Sequence, residues 1–373
     1  MTPRTAELHD AIVSSTGEVG IPEHRIDPLG EGAHNRVTLT LGQMVCDVAE
    51  IDSAMHKVVS VADKINSDGS PNAVTRRIAR FLTTPNVLNE LMQSKHAKSV
   101  EAVMTFGDDK VLVWTGQNDT SRPSVPINSD KYTADIESLT STAPKKTPSA
   151  IIGEAVESGV VFRDLIIDTP EWRSQLLNLW GGTFGWEEYQ INALAERLIG
   201  EQHLDPADKT LWFSATELEG KIVGAAMAER FDLVDEKGEK ISFVESTEWK
   251  RKSGTMGHSP MAATLVALHA QVLRDVPEAH VYAECNETSG AYNVAHRVRM
   301  TESKNDLALL AAQKGMVALR GIQNVLRANV YIDDGVEPPT PRNFRVLYLS
   351  DETVAEMYNT EQVQAVCNTI RGN

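Results

Sequence analysis

Apolar and polar positions follow two rhythms along this chain. From Ala49 to Ile65, Asn72 to Leu82 and Val87 to Met92 the apolar residues recur at helical spacing, whereas Arg36 to Leu41, Val100 to Phe106 and Lys110 to Trp114 read as strands. The runs VEAVMTF and KVLVW are separated by GDD, which predicts a hairpin. Between Thr115 and Ala150 the periodicity fades and Ser, Thr, Pro and Asn accumulate, the composition of a linker. The expected organisation is an N-terminal α+β domain over residues 1–115, a Ser/Thr/Pro-rich linker over 116–155, and a larger domain over 156–373.

Within the larger part the order of elements is clearer. VVFRDLIID is strand-like; Thr169-Pro170 supplies an N-cap and an N1 proline for a helix through Trp180, and Trp186 to Ile199 predicts a second. LWFSATELEGKIVGAAMAERFDL predicts two strands around a Glu219-Gly220 turn, and ISFVEST (241–247) a third strand. After the stretch WKRKSGTMGH, Ser259-Pro260 opens another helix, whose Met261, Leu265, Leu268 and Val272 form one apolar stripe, with Ala262, Ala263 and Ala267 permitting close packing. HVYAEC predicts a strand, Ser289 to Met300 a helix, and VLRANVYID and RNFRVLYLS two late strands.

This order sets the glycine-bearing basic loop between the end of a strand and the start of a helix. Free N–H groups and the positive end of the macrodipole attract anions at such a place. Gly254 and Gly257 let a ligand approach the backbone, while Lys250, Arg251, Lys252 and His258 supply charge. A solvated basic crossover loop is the competing reading. GEGAHNR (30–36) lacks both the Gly-Lys-Ser/Thr ending and the preceding apolar strand of a nucleotide loop.

Composition narrows the functions. The chain has 373 residues, 41% hydrophobic and 24% charged, and a formal charge of −16. That charge repels phosphate backbones and excludes a sequence-independent nucleic-acid binder. Cys46, Cys285 and Cys367 form no close pair, and the histidines show no metal-ligand spacing, so no metal is expected. No segment approaches the roughly 18 to 20 apolar residues of a membrane span, and a cytoplasmic protein with no membrane partner is the expectation.

Residues Val160 to Ser350 resemble the GCN5-related N-acetyltransferase (GNAT) superfamily in element order and in three local features. STEWKRKSG before a small-residue helix is similar to the family's pyrophosphate loop, although Met256 stands where glycine or alanine is usual. AECNETSGAYNVAHRVRM is similar to its strand, Asn-containing turn and following helix, with Arg299 where glycine is expected. LWGGTFGW is similar to the substrate-side helix end, or is ordinary core packing.

The resemblance implies a mixed α/β fold, with a mostly antiparallel sheet flanked by helices. It also implies transfer of an acetyl group from acetyl-CoA, the acyl donor, to a small-molecule or peptide amine. Thr247, Trp249, Arg251, Lys252, Gly254, Gly257, His258, Ser259, Asn286 and Ser289 would then bind the donor, beside a strand that splays from its neighbour. The candidates for the base are Glu245, Glu248 and Glu284, and Tyr292 is the candidate acid for the leaving thiolate. Glu245 shares a strand face with Ile241, Phe243 and Thr247, the other face taking Ser242, Val244 and Ser246. The alternative is a binding or structural protein that has kept the fold and lost the donor site. For the N-terminal domain three roles stand open: shaping the acceptor site, mediating a homodimer, or being a decayed copy of the same fold.

Overall fold

The computed structural model describes residues 24–27, 36–67, 76–94, 100–106, 109–118, 146–163, 169–184, 188–251, 260–286, 294–295, 297–302, 329–332 and 340–371. The N-terminal half runs β1 (His24–Asp27), β2 (Arg36–Val45), α1 (Val48–Ser67), β3 (Arg76–Thr83), α2 (Pro85–Gln93), β4 (Val100–Phe106) and β5 (Lys110–Asn118). β2 and β3 are parallel across α1, β3 and β5 are antiparallel, and β4 and β5 form the expected hairpin. α1 and α2 cover one face of this sheet, where Leu39, Ile51, Val58, Phe81, Leu88 and Val113 are buried together. Thr84 caps α2 by accepting from the Val87 N–H at 3.3 Å, with Pro85 at its first position.

One expectation fails here. Asn72 to Leu82, read as a helix, contains instead the strand β3 at Arg76–Thr83. β3 lies between β2 and β5 and buries both of its faces, Ala79 and Phe81 on one and Ile78 and Leu82 on the other. A strand apolar on both sides shows no clean alternation. The charge that made the run look amphipathic, Arg80, is itself only 4% exposed.

The C-terminal half contains α3 (Pro148–Glu157), β6 (Val161–Arg163), α4 (Pro170–Phe184), α5 (Glu188–Glu201), β7 (Leu211–Leu218), β8 (Lys221–Val234), β9 (Lys240–Arg251), α6 (Pro260–Asp275), β10 (His280–Asn286), β11 (Thr301–Glu302), β12 (Asn329–Ile332), β13 (Thr340–Tyr348), α7 (Asp351–Met357) and α8 (Thr360–Arg371). The strands pair β6–β7–β8–β9–β10–β13, with β11 and β12 also on β13, and only β9 and β10 are parallel. The mixed α/β class with a mostly antiparallel sheet is therefore as expected. Glu219 and Gly220, with φ of 52° and 74°, make the tight turn between β7 and β8.

Helix α6 is not the one-sided element its stripe suggested. It is buried on nearly all sides, because α3 and α8 pack on its outer surface while the sheet takes the inner one. Residues 148–155, read as the end of the linker, belong to α3, whose Ile152 is fully buried. The opposite face of the sheet is shared. α4 and α5 cover its β7–β8 side, where Trp180 meets Phe213 edge-on at 6.0 Å, so Leu179 and Trp180 of LWGGTFGW are core packing.

The rest of that face meets the N-terminal sheet. Ile78, Leu82, Met104, Leu112 and Trp114 form one buried cluster with Phe231, Leu233, Phe243, Tyr282 and Tyr348. At roughly 1.5–3 kcal/mol per fully buried large apolar side chain, this contact contributes a substantial share of the stability of both halves. Gln43 bridges to Val234, and Lys110 Nζ lies 3.4 Å from Asp235 Oδ2.

Candidate functional site

The opening between β9 and β10 organises the candidate site. The two parallel strands pair as His280 with Phe243, Val281 with Val244 and Tyr282 with Glu245, and there the pairing ends. β9 continues along β8 to Arg251, and β10 continues along β13 to Asn286. Two strand edges inside the sheet thus part from a defined apex, Glu245–Tyr282, as the expected splay requires.

An extra residue in β9 then changes its facing. Ala225 of β8 opposes Lys250 and Met227 opposes Thr247, so one β8 residue lies between these pairs against two on β9. Such a bulge reverses the alternation of side chains. Trp249 accordingly joins Val244 in the core under α6, and its Nε1 donates to Ser246 Oγ at 2.8 Å. Arg251, exposed, stands opposite Gly224 on that same face.

Gly224 marks where α6 begins against the sheet. A Cβ there would stand 2.7 Å from Thr216 Oγ1, 2.8 Å from Thr264 Oγ1 and 3.7 Å from the Pro260 carbonyl carbon. The two threonine hydroxyls are 2.9 Å apart, and Thr264 Oγ1 also donates to the Pro260 carbonyl at 2.7 Å. Close approach through Gly224 fixes the first turn of α6, and the bulge sets Arg251 on the face where that turn starts. A strand-edge cation beside a helix N-terminus can accept an anion.

The other face of the apex holds a buried polar cluster. Glu245, 2% exposed, accepts at Oε2 from Arg80 Nη1 at 3.0 Å and from the Tyr282 hydroxyl at 3.1 Å. Arg80 Nη1 also reaches the Tyr282 hydroxyl, and its Nε and Nη2 donate to Thr40 Oγ1 at 3.1 and 2.8 Å. The guanidinium carbon sits 3.5 Å from the centroid of the Phe231 ring, a cation–π contact. Trp114 packs edge-on against Tyr282 at 5.3 Å. Sequence reasoning placed Glu245 on the correct face and missed Arg80, Thr40 and Tyr282 entirely. Its only signal for Arg80 was a lone arginine inside an apolar run.

The remaining predicted residues divide into two groups. Thr247 is half-buried on β9 before the bulge, and Glu284 and Asn286 occupy β10 beyond the apex, opposite Val346 and Phe344. Lys252, Gly254, Gly257, His258, Ser259, Ser289 and Tyr292 lie outside the described residues, as does GEGAHN of the glycine run. Arg299 keeps the backbone conformation its position demands. Its φ is 68°, and the Met300 N–H returns to the Ala295 carbonyl at 3.0 Å, closing the helix as a left-handed C-terminal residue does.

One buried histidine stands apart from the opening. His269 of α6 is fully buried, and among the described residues neither ring nitrogen has a hydrogen-bond partner. Burial alone pulls its pKa down from 6.5 to about 3, so the ring is neutral at neutral pH. The Tyr358 ring meets it at 6.0 Å.

The chain matches no family model, and no curated protein matches it. Among solved structures it is similar to an acetyltransferase of Trypanosoma brucei, at 14% identity over 36% of this chain and 87% of that one, with a TM-score of 0.28. It is also similar to Arabidopsis thaliana NAA60 in complex with acetyl-CoA, at 10% identity over 52% of this chain and 99% of that one, with a TM-score of 0.35. An N-acetyltransferase from Staphylococcus aureus Mu50 is similar at 10% identity over 51% and 98% of the two chains, with a TM-score of 0.34. At such identities and TM-scores these likenesses decide neither activity nor substrate. Among the described residues, no helix is long and apolar enough to cross a membrane.

Proposed function

We propose that this protein is an acyl-CoA-dependent N-acyltransferase that moves an acetyl group from acetyl-CoA to an amine. The observation that carries this reading is the opening between β9 and β10, with Arg251 turned by the bulge to the face where α6 starts. An extended pantetheine arm fits a parting between strands because strand edges offer backbone donors and acceptors in register. The pyrophosphate would lie at the start of α6 with Arg251. Lys252, Gly254, Gly257, His258 and Ser259 would complete that cradle.

In the reaction the amine nitrogen bonds to the thioester carbonyl carbon, the carbon–sulfur bond breaks and the thiolate takes a proton. Holding the two reactants in line supplies most of the acceleration. Glu284, placed on β10 beyond the apex, is the base we propose, and Tyr292 the donor to the thiolate. Glu245 is less suited to that task, because its Oε2 is engaged by both Arg80 and Tyr282. The same engagement favours the second reading, a non-catalytic binding or structural protein that has kept the fold and lost the donor site.

Thermal denaturation with acetyl-CoA, CoA and pantetheine tests the reading. A ligand at 100 times its Kd that binds only the folded state adds about 2.7 kcal/mol of stability. Acetyl-CoA and CoA should raise the melting temperature clearly and pantetheine far less. No shift at millimolar acetyl-CoA overturns the acyltransferase reading and leaves the binding or structural protein that has lost the donor site.

A further inference from the structure

We propose that Arg80, from the N-terminal half, is a positioning residue of the donor opening, an inference that rests on the acyl-donor reading of that opening. Glu245 and Tyr282 are the last residues through which β9 and β10 pair, so they set where the opening begins. Arg80 touches both with Nη1. Its other two donors are anchored on Thr40 Oγ1, across the β2–β3 pair, where Thr40 and Arg80 are themselves partners in register. One guanidinium therefore ties the apex of the opening to a paired position in the other half of the chain. The Phe231 ring beneath it and Trp114 against Tyr282 restrict lateral movement.

The planar fork is what makes this possible. Arginine presents several donors in fixed directions, while a lysine ammonium is a single point on a flexible stem. With the fork removed, Glu245 and Tyr282 lose their common partner and the two strand edges part from a different point. The pantetheine arm follows those edges, so its thioester shifts, whereas the nucleotide end depends on Arg251 and the start of α6 on the opposite face. A displacement of about 1 Å at a reacting centre is enough to cost on the order of a hundredfold in rate. The N-terminal half is thus a working part of the donor site.

The test uses the full chain and two probes, acetyl-CoA and 3′,5′-ADP, which carries the nucleotide end alone. Arg80→Met leaves the Glu245 carboxylate buried without its cation, so the double variant Arg80→Met/Glu245→Gln is made beside it to keep the protein folded. In the double variant acetyl-CoA affinity should fall at least tenfold and 3′,5′-ADP affinity stay within threefold. Amide exchange without ligand should accelerate about tenfold in residues 246–251 and 283–286 and not in β7. Arg80→Lys should recover stability but not acetyl-CoA affinity. The inference is overturned if the double variant binds acetyl-CoA as the natural protein does, if both probes weaken in parallel, or if lysine restores affinity together with stability. Failure of the natural protein to bind acetyl-CoA would instead remove the donor reading itself.

Discussion

The two halves of the chain contain the same sequence of connections and differ where it matters for a ligand. In each, a strand pairs antiparallel with its predecessor, crosses by a helix to a parallel neighbour, and that neighbour pairs antiparallel with the second strand of a later pair: β1 to β5 in one half, β8 to β13 in the other. The N-terminal unit passes from β2 to α1 through Cys46 and Asp47 alone. Asp47 Oδ1 accepts from the Ala49 N–H at 2.8 Å, and Glu50 follows in the first turn. Its strands pair in register to Leu41 and Phe81, shift, and pair again at Val45 and Thr83, where Thr83 Oγ1 donates to the Val45 carbonyl at 2.8 Å. The C-terminal unit stops pairing at Glu245–Tyr282, bulges, and takes residues 252–259 to reach α6. A strand–helix–strand crossover is therefore not in itself an anion site. The unit that carries acid at its helix start and pairs its strands again at Val45 and Thr83 lacks the charge that an anion needs. The repeated connections are what a decayed copy of the fold would look like, and we propose that origin for the N-terminal half.

The largest expected effect breaks the contact between the units. Arg80→Met should destabilise the chain by about 3–5 kcal/mol, because it strands a buried carboxylate, and Arg80→Met/Glu245→Gln should recover most of the loss in urea unfolding. Next comes the contrast between the two crossover helices, each with one histidine: His56 is exposed on α1 and His269 buried on α6. The folded pKa of His269 lies near 3, below the unfolded value of 6.5. Its stabilising contribution is complete well above pH 6.5 and declines as the pH falls towards 3, by about 1.4 kcal/mol at pH 5.5. His269→Leu should flatten that slope in melts from pH 7 to 5.

Gly224→Ala probes how closely α6 seats on the sheet, an approach with no equivalent demand at the Asp47 turn. The added Cβ meets two hydroxyls at under 3 Å and should cost about 1–3 kcal/mol of stability. Arg251→Glu should weaken acetyl-CoA binding about tenfold or more by calorimetry. Asp47→Ala should leave binding unchanged and cost about 1 kcal/mol as a lost cap. The smallest effect concerns how a helical turn ends in each unit, at Ser94 and at Arg299. α2 ends on Ser94 in an extended conformation, whereas Arg299 adopts φ 68°, so Arg299→Gly should stabilise by about 0.5 kcal/mol in the same unfolding assay.

Local chemistry was legible wherever the deciding atoms are close in sequence. The Glu219-Gly220 turn, the Thr–Pro start of α4 and the β4–β5 hairpin depend on φ preferences and on N–H groups three residues away. The strand, basic loop and helix order around WKRKSGTMGH was legible for the same reason. So was the facing of Glu245, since alternation holds from Ile241 up to the bulge.

By itself, then, the sequence determined most elements other than β3 and α3, the starts of α4 and α6, and the run of cations between a strand and a helix, through backbone preferences and neighbours within one turn. Tertiary structure decided that β3 is a central strand and not a helix, since only burial on both faces makes that run stable as a strand. It also decided that β9 gains a residue and turns Arg251 towards α6, because register is set by the partner strand. Above all, it decided that Glu245 meets Arg80 across 165 positions of chain. No periodicity reports a contact that exists only because two separately formed sheets bury their faces against each other.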